Sequence, residues 1–137
     1  MIFYIADWHY NHSNILAYDN RPFTTVEEMN TALADRWNAA VTPADTVYVL
    51  GDMFWSGETK AIPVLDSLSG KKILIKGNHD RCKNAEFRKR FDQISDYPEI
   101  ADGDRHVVLC HYPMPCFKNH FHGWYHLYGH VHSSFEA

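Results

Sequence analysis

The chain has 137 residues, of which 13 are Lys or Arg and 17 are Asp or Glu, so its formal net charge is −4. This length favours one domain over residues 1–137 with a hydrophobic core of its own. The acidic balance argues against a general nucleic-acid binder, which would present a basic face. It is compatible with a small anionic substrate, because bound divalent cations can reverse the charge locally.

Location is predicted from what the chain lacks. The sequence has no apolar run of about 18 residues and no export signal, so we expect a cytoplasmic protein that does not contact a membrane. The chain has an odd number of cysteines, three, and no two of them have Cys-x-x-Cys spacing. They are therefore expected to be reduced thiols. They are Cys82, Cys110 and Cys116.

The chain opens with an apolar segment over residues 1–6, which is typical of a buried strand. Asp7 and His9 follow it. In an extended chain residues i and i+2 point to the same side, so both side chains are expected to face one point beyond the strand end. Taken by itself, this pair is more typical of a turn and a surface histidine. A short helix is expected near residues 14–17, before the break at Arg21 and Pro22.

The segment from residue 25 to residue 69 predicts a helix, a strand and a second helix. Thr25 and Glu28 have the spacing of a capping box, and apolar residues at intervals of three and four predict a helix over residues 26–40. Residues 46–50 are apolar and β-branched, which predicts a buried strand. Residues 58–69 predict another helix, weakened by an internal proline.

A third apolar strand begins at Lys72 and runs directly into Gly77-Asn78-His79-Asp80. The alternation of strands and helices up to this point predicts a parallel sheet with crossover helices. In such sheets ligands bind at the carboxyl ends of the strands. The polar side chains that follow the three strands are therefore expected to converge; they are Asp7, His9, Asp52, Asn78, His79 and Asp80.

The last third of the chain predicts a short basic helix over residues 84–92, whose charged face we expect to be solvated. Residues 94–101 and 106–110 predict two strands joined in a hairpin by Asp-Gly-Asp, and residues 124–128 predict a final strand. Single or paired histidines follow the last two strands, at His111, His130 and His132.

Ten histidines, seven of them from His106 onward, supply many nitrogen ligands. Oxygen and nitrogen donors without thiolates favour Mn, Fe, Ni or Zn. More than four such ligands indicate two divalent ions, which is the usual arrangement for hydrolysing a phosphate ester.

Five short blocks in order over residues 7–132 resemble those of the calcineurin-like metallophosphoesterase superfamily. The segment from Asp7 through Arg21-Pro22-Phe23 to the capping box also resembles small bacterial and phage members of that superfamily. The blocks are Asp7-x-His9, Gly51-Asp52, Gly77-Asn78-His79-Asp80, His111 and Gly129-His130-x-His132. The resemblance implies an α/β fold in four layers, αββα, and hydrolysis of a phosphomonoester or phosphodiester. The chain ends five residues after His132. This leaves open a minimal member, a C-terminally truncated chain, or an edge covered by a neighbouring subunit.

The resemblance also implies a role for each residue. One metal would be held by Asp7, His9, Asp52 and His132, and the other by Asp52, Asn78, His111 and His130, so that Asp52 is shared. A hydroxide between the metals would be the nucleophile. His79 would contact the phosphoryl group or protonate the leaving oxygen, and Asp80 would hydrogen-bond His79 and fix its tautomer.

Three residues outside the blocks are candidates for substrate contact, and each is equally compatible with a structural role: Arg21, His12 and Arg81. Three further histidines, at positions 120, 122 and 126, are expected at the surface or in loop packing. We expect a small phosphorylated substrate, and the sequence is compatible with a homo-oligomer. Two alternatives remain. The intact His79-Asp80 pair disfavours a non-catalytic module that merely holds metal, and the absence of a basic aromatic channel disfavours a nuclease of the same chemistry.

Overall fold

A computed structural model describes residues 1–131; His132, predicted as a metal ligand, lies outside the described residues. The strands and helices in chain order are β1 (Ile2–Ile5), α1 (Ile15–Tyr18), α2 (Val26–Ala40), β2 (Thr46–Val49), α3 (Glu58–Ser67), β3 (Lys71–Ile75), α4 (Ala85–Lys89), β4 (Gln93–Ser95), β5 (Glu99–Asp102), β6 (Arg105–Leu109) and β7 (Tyr125–Leu127). A single 3₁₀ turn at His120–His122 precedes β7.

The first four strands form a parallel sheet in the order β1-β2-β3-β4. Helices α2 and α3 pack on one face of this sheet, where Trp37 and Leu65 join Val49 and Leu74 in the larger hydrophobic core. Each strand contributes alternate side chains to this face, as the pleat requires. The parallel sheet predicted from the alternation of strands and helices is therefore confirmed.

The last three strands form a second sheet in the order β5-β6-β7. Strand β6 is antiparallel to β5 and parallel to β7. The apolar face of this sheet packs against the other face of the parallel sheet, with Val107 and Leu109 in one cluster with Leu50 and Ile75. Within residues 1–131 the hydrophobic clusters thus define helices, a parallel sheet and a second sheet. This mixed α/β arrangement confirms the expected fold class and contains three of the four expected layers.

The segment predicted as one strand over residues 94–101 is divided in the structure, so that prediction was wrong. Its first part is β4, which pairs with β3, and its second part is β5, which pairs with β6. Pro98 lies between them; it has no N–H to donate, so an uninterrupted ladder is not available there. Its carbonyl accepts the N–H of Leu109 at 2.9 Å, which directs the chain into the second sheet.

Helix α2 has the predicted bounds, and Thr25 caps it by accepting the Glu28 N–H at 3.1 Å. The carboxylate of Glu28 accepts instead from the Thr24 hydroxyl, at 2.7 Å, so the box is shifted by one residue. Helix α4 is shorter than predicted. Among residues 1–131 no helix has the length and apolar character needed to cross a membrane. The three cysteines are free thiols, as expected.

Candidate metal centre and adjoining cleft

The loops that follow β1 and β2 continue the parallel pairing of their strands. The N–H of Asp7 donates to the carbonyl of Gly51 at 3.2 Å, and the N–H of His9 donates to the carbonyl of Asp52 at 3.0 Å. This main-chain pairing fixes the offset between the two loops. The side chains of Asp7 and His9 are therefore positioned beside that of Asp52.

Four predicted metal ligands have left-handed backbone conformations, with φ of 52° at Asp7, 51° at His9, 53° at Asp52 and 73° at His130. Residues other than glycine rarely adopt this conformation, and it concentrates at functional sites. Asp7 and His9 do converge on Asp52, as predicted. The prediction assumed an extended chain in which residues i and i+2 point to the same side. That assumption was wrong, because Asp7 and His9 have a left-handed backbone.

Two sets of three side chains bring their ligand atoms within 4.8 Å of one another. One set is Asp7, His9 and Asp52, and the other is Asp52, His111 and His130. The Oδ2 atom of Asp52 lies 3.9 Å from Nε2 of His9 and 3.3 Å from Nε2 of His111. One carboxylate oxygen thus faces a histidine of each set, which is the geometry a shared ligand needs.

The neighbours of His111, a fully buried side chain, determine its tautomer. Its Nδ1 lies 2.8 Å from the carbonyl oxygen of Leu50, and because a carbonyl can only accept, Nδ1 carries the proton. In the neutral ring, Nε2 then presents a lone pair to Asn78 Oδ1 at 2.9 Å and to Asp52 Oδ2, and only the protonated ring can donate a hydrogen bond to these oxygens. A cation would reconcile these converging lone pairs, so this donor set fits a divalent metal.

The charges in this cluster are coupled. Burial lowers the pKa of His111, but the Asp52 carboxylate, the Leu50 carbonyl and the Asp7 carboxylate outweigh burial and raise that pKa overall. Burial raises the pKa of Asp52, but hydrogen bonds from the His111 ring and the His79 N–H lower it overall. The His79 N–H donates to Asp52 Oδ1 at 2.8 Å. Asp52 is therefore held as a carboxylate, which favours a cation beside it.

Glycines at three positions of the sequence blocks make room for the ligands. A Cβ on Gly77 would lie 2.5 Å from Oδ1 of Asp52, and one on Gly129 would lie 2.7 Å from Oδ2 of Asp7. Gly51 has a φ of +85°, and its Cβ would collide with the buried imidazole beside it. These glycines permit the main chain to approach the carboxylates closely.

Asp80 has a different role from the predicted one. Its carboxylate accepts the N–H groups of Asp52 at 2.6 Å, Gly77 at 2.8 Å and Met53 at 3.3 Å. No hydrogen bond joins it to the His79 ring in the part of the chain that the structure describes, so the predicted Asp80–His79 pair is wrong. Burial raises the pKa of Asp80, and the three main-chain donors oppose that rise. The converging N–H groups draw the carboxylate inward, where it ties the loop after β2 to the loop after β3.

His12 contacts the candidate metal ligand His9. Its side chain is buried, and its Nδ1 lies 3.0 Å from Nδ1 of His9, so one nitrogen donates and the other accepts. That bond orients the opposite nitrogen of His9 towards Asp52. The His12 ring also stacks on Trp55, with centroids 3.7 Å apart and planes 10° apart.

Arg21 braces the loop after β1. Its guanidinium donates to the carbonyl of Trp8 at 2.7 Å and to the carbonyl of Asp7 at 2.5 Å, and its Nε lies 3.4 Å from Asp19. The sequence left open whether Arg21 contacts the substrate or has a structural role. In the structure its guanidinium donates to the main chain, which is a structural role.

A cleft of about 630 Å³ adjoins the cluster, and the residues that line it include Trp55, Asn78, His79, Arg81 and Lys83. Trp55 is 41% exposed, and its ring lies 4.2 Å from that of His79. Trp55 and Lys83 were not among the site residues predicted from the sequence. A tryptophan after an apolar pair resembles core in sequence, and only the fold shows that it faces a cleft.

His120 and His126 belong to neither of the two ligand sets. The Nδ1 of His126 bonds the carbonyl of Val108 at 3.1 Å, and its Nε2 accepts the N–H of Met114 at 3.2 Å. His120 stacks on Phe117 with centroids 4.5 Å apart. These contacts are loop packing, as expected.

Comparison with known proteins connects this geometry to a family. The family model described as calcineurin-like phosphoesterase matches residues 1–134. An uncharacterised protein of Methanocaldococcus jannaschii is 38% identical over 135 residues, which cover 97% of this chain and 70% of that protein. The gene 66 protein of Mycobacterium phage L5 is 32% identical over 130 residues, covering 80% of this chain and 62% of the phage protein.

A solved structure is similar as well. The crystal structure of a protein of unknown function from Aquifex aeolicus superposes with a TM-score of 0.69 at 28% sequence identity. The match covers 89% of this chain and 67% of that one. The chain thus spans between 62% and 70% of the lengths of these three proteins.

Proposed function

The chain belongs to the calcineurin-like phosphoesterase family, and from this premise we propose that it hydrolyses a phosphomonoester or phosphodiester with two divalent metal ions. One observation carries the proposal. The Asp52 carboxylate lies between two sets of nitrogen and oxygen ligands, and His79 lines the cleft that adjoins them. Members of the family are generally metal-dependent phosphoesterases.

The ligand sets follow from the two clusters. One ion would be held by Asp7, His9 and Asp52, joined by His132, and the other by Asp52, Asn78, His111 and His130. Only two of these ligands are carboxylates, so a pair of divalent ions would leave the pocket positively charged and attractive to phosphate. When bound, such ions supply charge neutralisation at the phosphoryl oxygens and a nucleophile at neutral pH.

His79 would act on the phosphoryl group from the cleft side. Its main-chain N–H is anchored on Oδ1 of Asp52 at 2.8 Å, which places its ring next to the ligand cluster. From there the imidazole would hydrogen-bond the phosphoryl group and donate a proton to the leaving oxygen. Asp80 would be a positioning residue, because its carboxylate holds the main chain on both sides of the site.

The test combines turnover with metal content. With Mn²⁺ the protein should cleave aryl phosphate esters, and a chelator should abolish the activity. His79→Ala should retain metal and lose about 10²–10⁴-fold in kcat, whereas Asp52→Asn should lose metal. His122→Ala, an exposed histidine apart from the centre, is the matched control and should change neither.

Two results would contradict the proposal. Bound metal without turnover of monoesters or diesters, with Mn, Fe, Ni and Zn each tried, would indicate a module that holds metal without catalysis. Equal loss of metal in the His79 and Asp52 variants would overturn the separation of their roles.

A further inference from the structure

We propose that the leaving group of the substrate is a nucleoside, whose planar aromatic base stacks on Trp55 in the cleft beside His79. This inference deepens the phosphoesterase function and rests on it. It assigns a specificity-determining residue, Trp55, that lies outside the five sequence blocks.

The position of the cleft determines which part of the substrate enters it. Asn78 contacts the candidate ligand His111 and also lines the cleft, and the next residue in the chain, His79, lines it as well. A proton donated by His79 reaches the oxygen of the departing group, so that group lies on the His79 side of the phosphorus. The space on that side is the cleft that Trp55 bounds.

Trp55 differs from the core tryptophans of the chain. Trp8 and Trp37 are 3% and 5% exposed, whereas Trp55 is 41% exposed. Its indole is nevertheless held in place, because His12 stacks on it at 3.7 Å and His9 lies 5.5 Å away with planes 20° apart. A large aromatic surface that is exposed and rigidly backed is a preorganised platform for a stacking partner.

The charges of the cleft favour a leaving group with polar or anionic substituents. Arg81 and Lys83 line it. The Glu58 carboxylate, which also lines it, accepts the main-chain N–H groups of Lys83 at 2.6 Å and Asn84 at 3.1 Å. The Asp80 carboxylate is likewise engaged by main-chain donors. Of the four charged side chains that line the cleft, two are thus engaged by main-chain donors, and the two cations lie in the same lining as the Trp55 ring, which suits a nucleotide.

The size of the cleft favours a small molecule over a polymer. Its volume of about 630 Å³ lies within the range of roughly 300–1,000 Å³ that small-molecule sites occupy. The chain has a net charge of −4, which opposes the extended phosphate contacts of a nucleic acid. A free nucleotide is therefore the source of the base that we infer.

The kinetic test is a ratio of specificity constants. We compare kcat/KM for a nucleoside monophosphate with kcat/KM for glycerol phosphate, which has no ring to stack. Trp55→Ala should lower this ratio about tenfold or more, since base–aromatic stacking is commonly of that strength, and Trp55→Phe should preserve most of it. Trp124→Ala, a half-buried tryptophan that does not line the cleft, is the control. An unchanged ratio in Trp55→Ala would overturn the inference.

A binding test works without turnover. Titration with adenosine monophosphate should quench the intrinsic fluorescence of the wild-type protein, ribose 5-phosphate should not, and Trp55→Phe should lose the quench. Quenching without hydrolysis of any ester would overturn the proposed function and leave the stacking site standing. Hydrolysis with no quench and no change in ratio would overturn the stacking site alone. A single-stranded oligonucleotide cleaved more than tenfold faster than the mononucleotide would overturn the free nucleotide as the source.

Discussion

The carboxylate of Asp80 accepts the main-chain N–H of Asp52 at 2.6 Å, so a residue of the loop after β3 holds the residue that both ligand sets share. We expect Asp80→Asn to weaken metal binding by roughly 10–100-fold, as loss of residues that orient ligands commonly does. The dissociation constant, measured by competition with a chromophoric chelator, checks this. Asp104→Asn, in the exposed hairpin loop, is the control. Unchanged metal affinity with a lower kcat at saturating metal would instead indicate that Asp80 acts on His79.

His12 makes two contacts, one with Trp55 and one with His9, and a single substitution separates their effects. His12→Phe keeps a ring against Trp55 and removes the hydrogen bond to His9. In this variant we expect the affinity for metal to fall by about tenfold or more. The ratio of kcat/KM for a nucleoside monophosphate to kcat/KM for glycerol phosphate should stay as in the wild type. Metal titration and the ratio of specificity constants measure the two effects independently. Wild-type metal affinity in this variant would show that the His9 ring is oriented without His12.

Arg21→Lys tests the bracing of the loop after β1. Lysine cannot donate to the carbonyls of Asp7 and Trp8 in the forked geometry of the guanidinium. We expect the free energy of unfolding in urea, measured with a chelator present, to fall by about 1–3 kcal/mol. The KM should change little. A raised KM at unchanged stability would indicate that Arg21 contacts the substrate.

Gly77→Ala tests the close approach of the main chain to Asp52. The added Cβ would lie 2.5 Å from Oδ1 of Asp52, and we expect it to cost about 1–3 kcal/mol of stability and to weaken metal binding. Gly57→Ala is a matched control, because its Cβ would meet nothing within 4 Å and its φ is −59°. Equal stability of the two variants in thermal unfolding would contradict the structure around Gly77.

Tyr4→Phe tests a bond between the two sheets. The Tyr4 hydroxyl in β1 donates to Oδ2 of Asp102 in β5 at 2.8 Å, and its removal should lower the free energy of unfolding by about 1 kcal/mol. Burial and then Asp102 raise the pKa of Tyr4 above 10.0, its ordinary value. Folding therefore favours the protonated form of Tyr4. The difference in the free energy of unfolding between wild type and variant should have its largest value below pH 10 and decrease above pH 10. Tyr18→Phe, at a ring that is 79% exposed, should show neither effect.

The larger part of the fold is readable from the sequence because hydrophobic periodicity determines it. Strands β1, β2 and β3 are apolar and α2 is amphipathic, so their order alone predicts the parallel sheet. Strand β4 was not recognised as a separate strand, because three residues, Gln93–Ser95, are too few to show a period. The division at Pro98 depends on which sheet each half joins, which is a tertiary property.

The grouping of the candidate ligands was predictable from the sequence, whereas the contacts of the residues around them were less so. Asp7, His9, Asp52 and His111 follow strands whose carboxyl ends meet, so topology brings them together. The partner of Asp80 was not predictable, because three main-chain N–H groups from two loops converge on it only after folding. An exposed tryptophan such as Trp55 carries no local sequence signal that separates it from core.

The left-handed backbone at Asp7, His9, Asp52 and His130 restricts how these positions can evolve. A descendant that abandoned metal would still need residues that tolerate positive φ there, which are chiefly glycine, asparagine and aspartate. Valine or isoleucine would be rejected by the main chain whatever the chemistry required. In a relative that no longer binds metal, we therefore expect Asp7 and Asp52 to be replaced first by asparagine or glycine. Both residues tolerate a positive φ, and neither carries a charge.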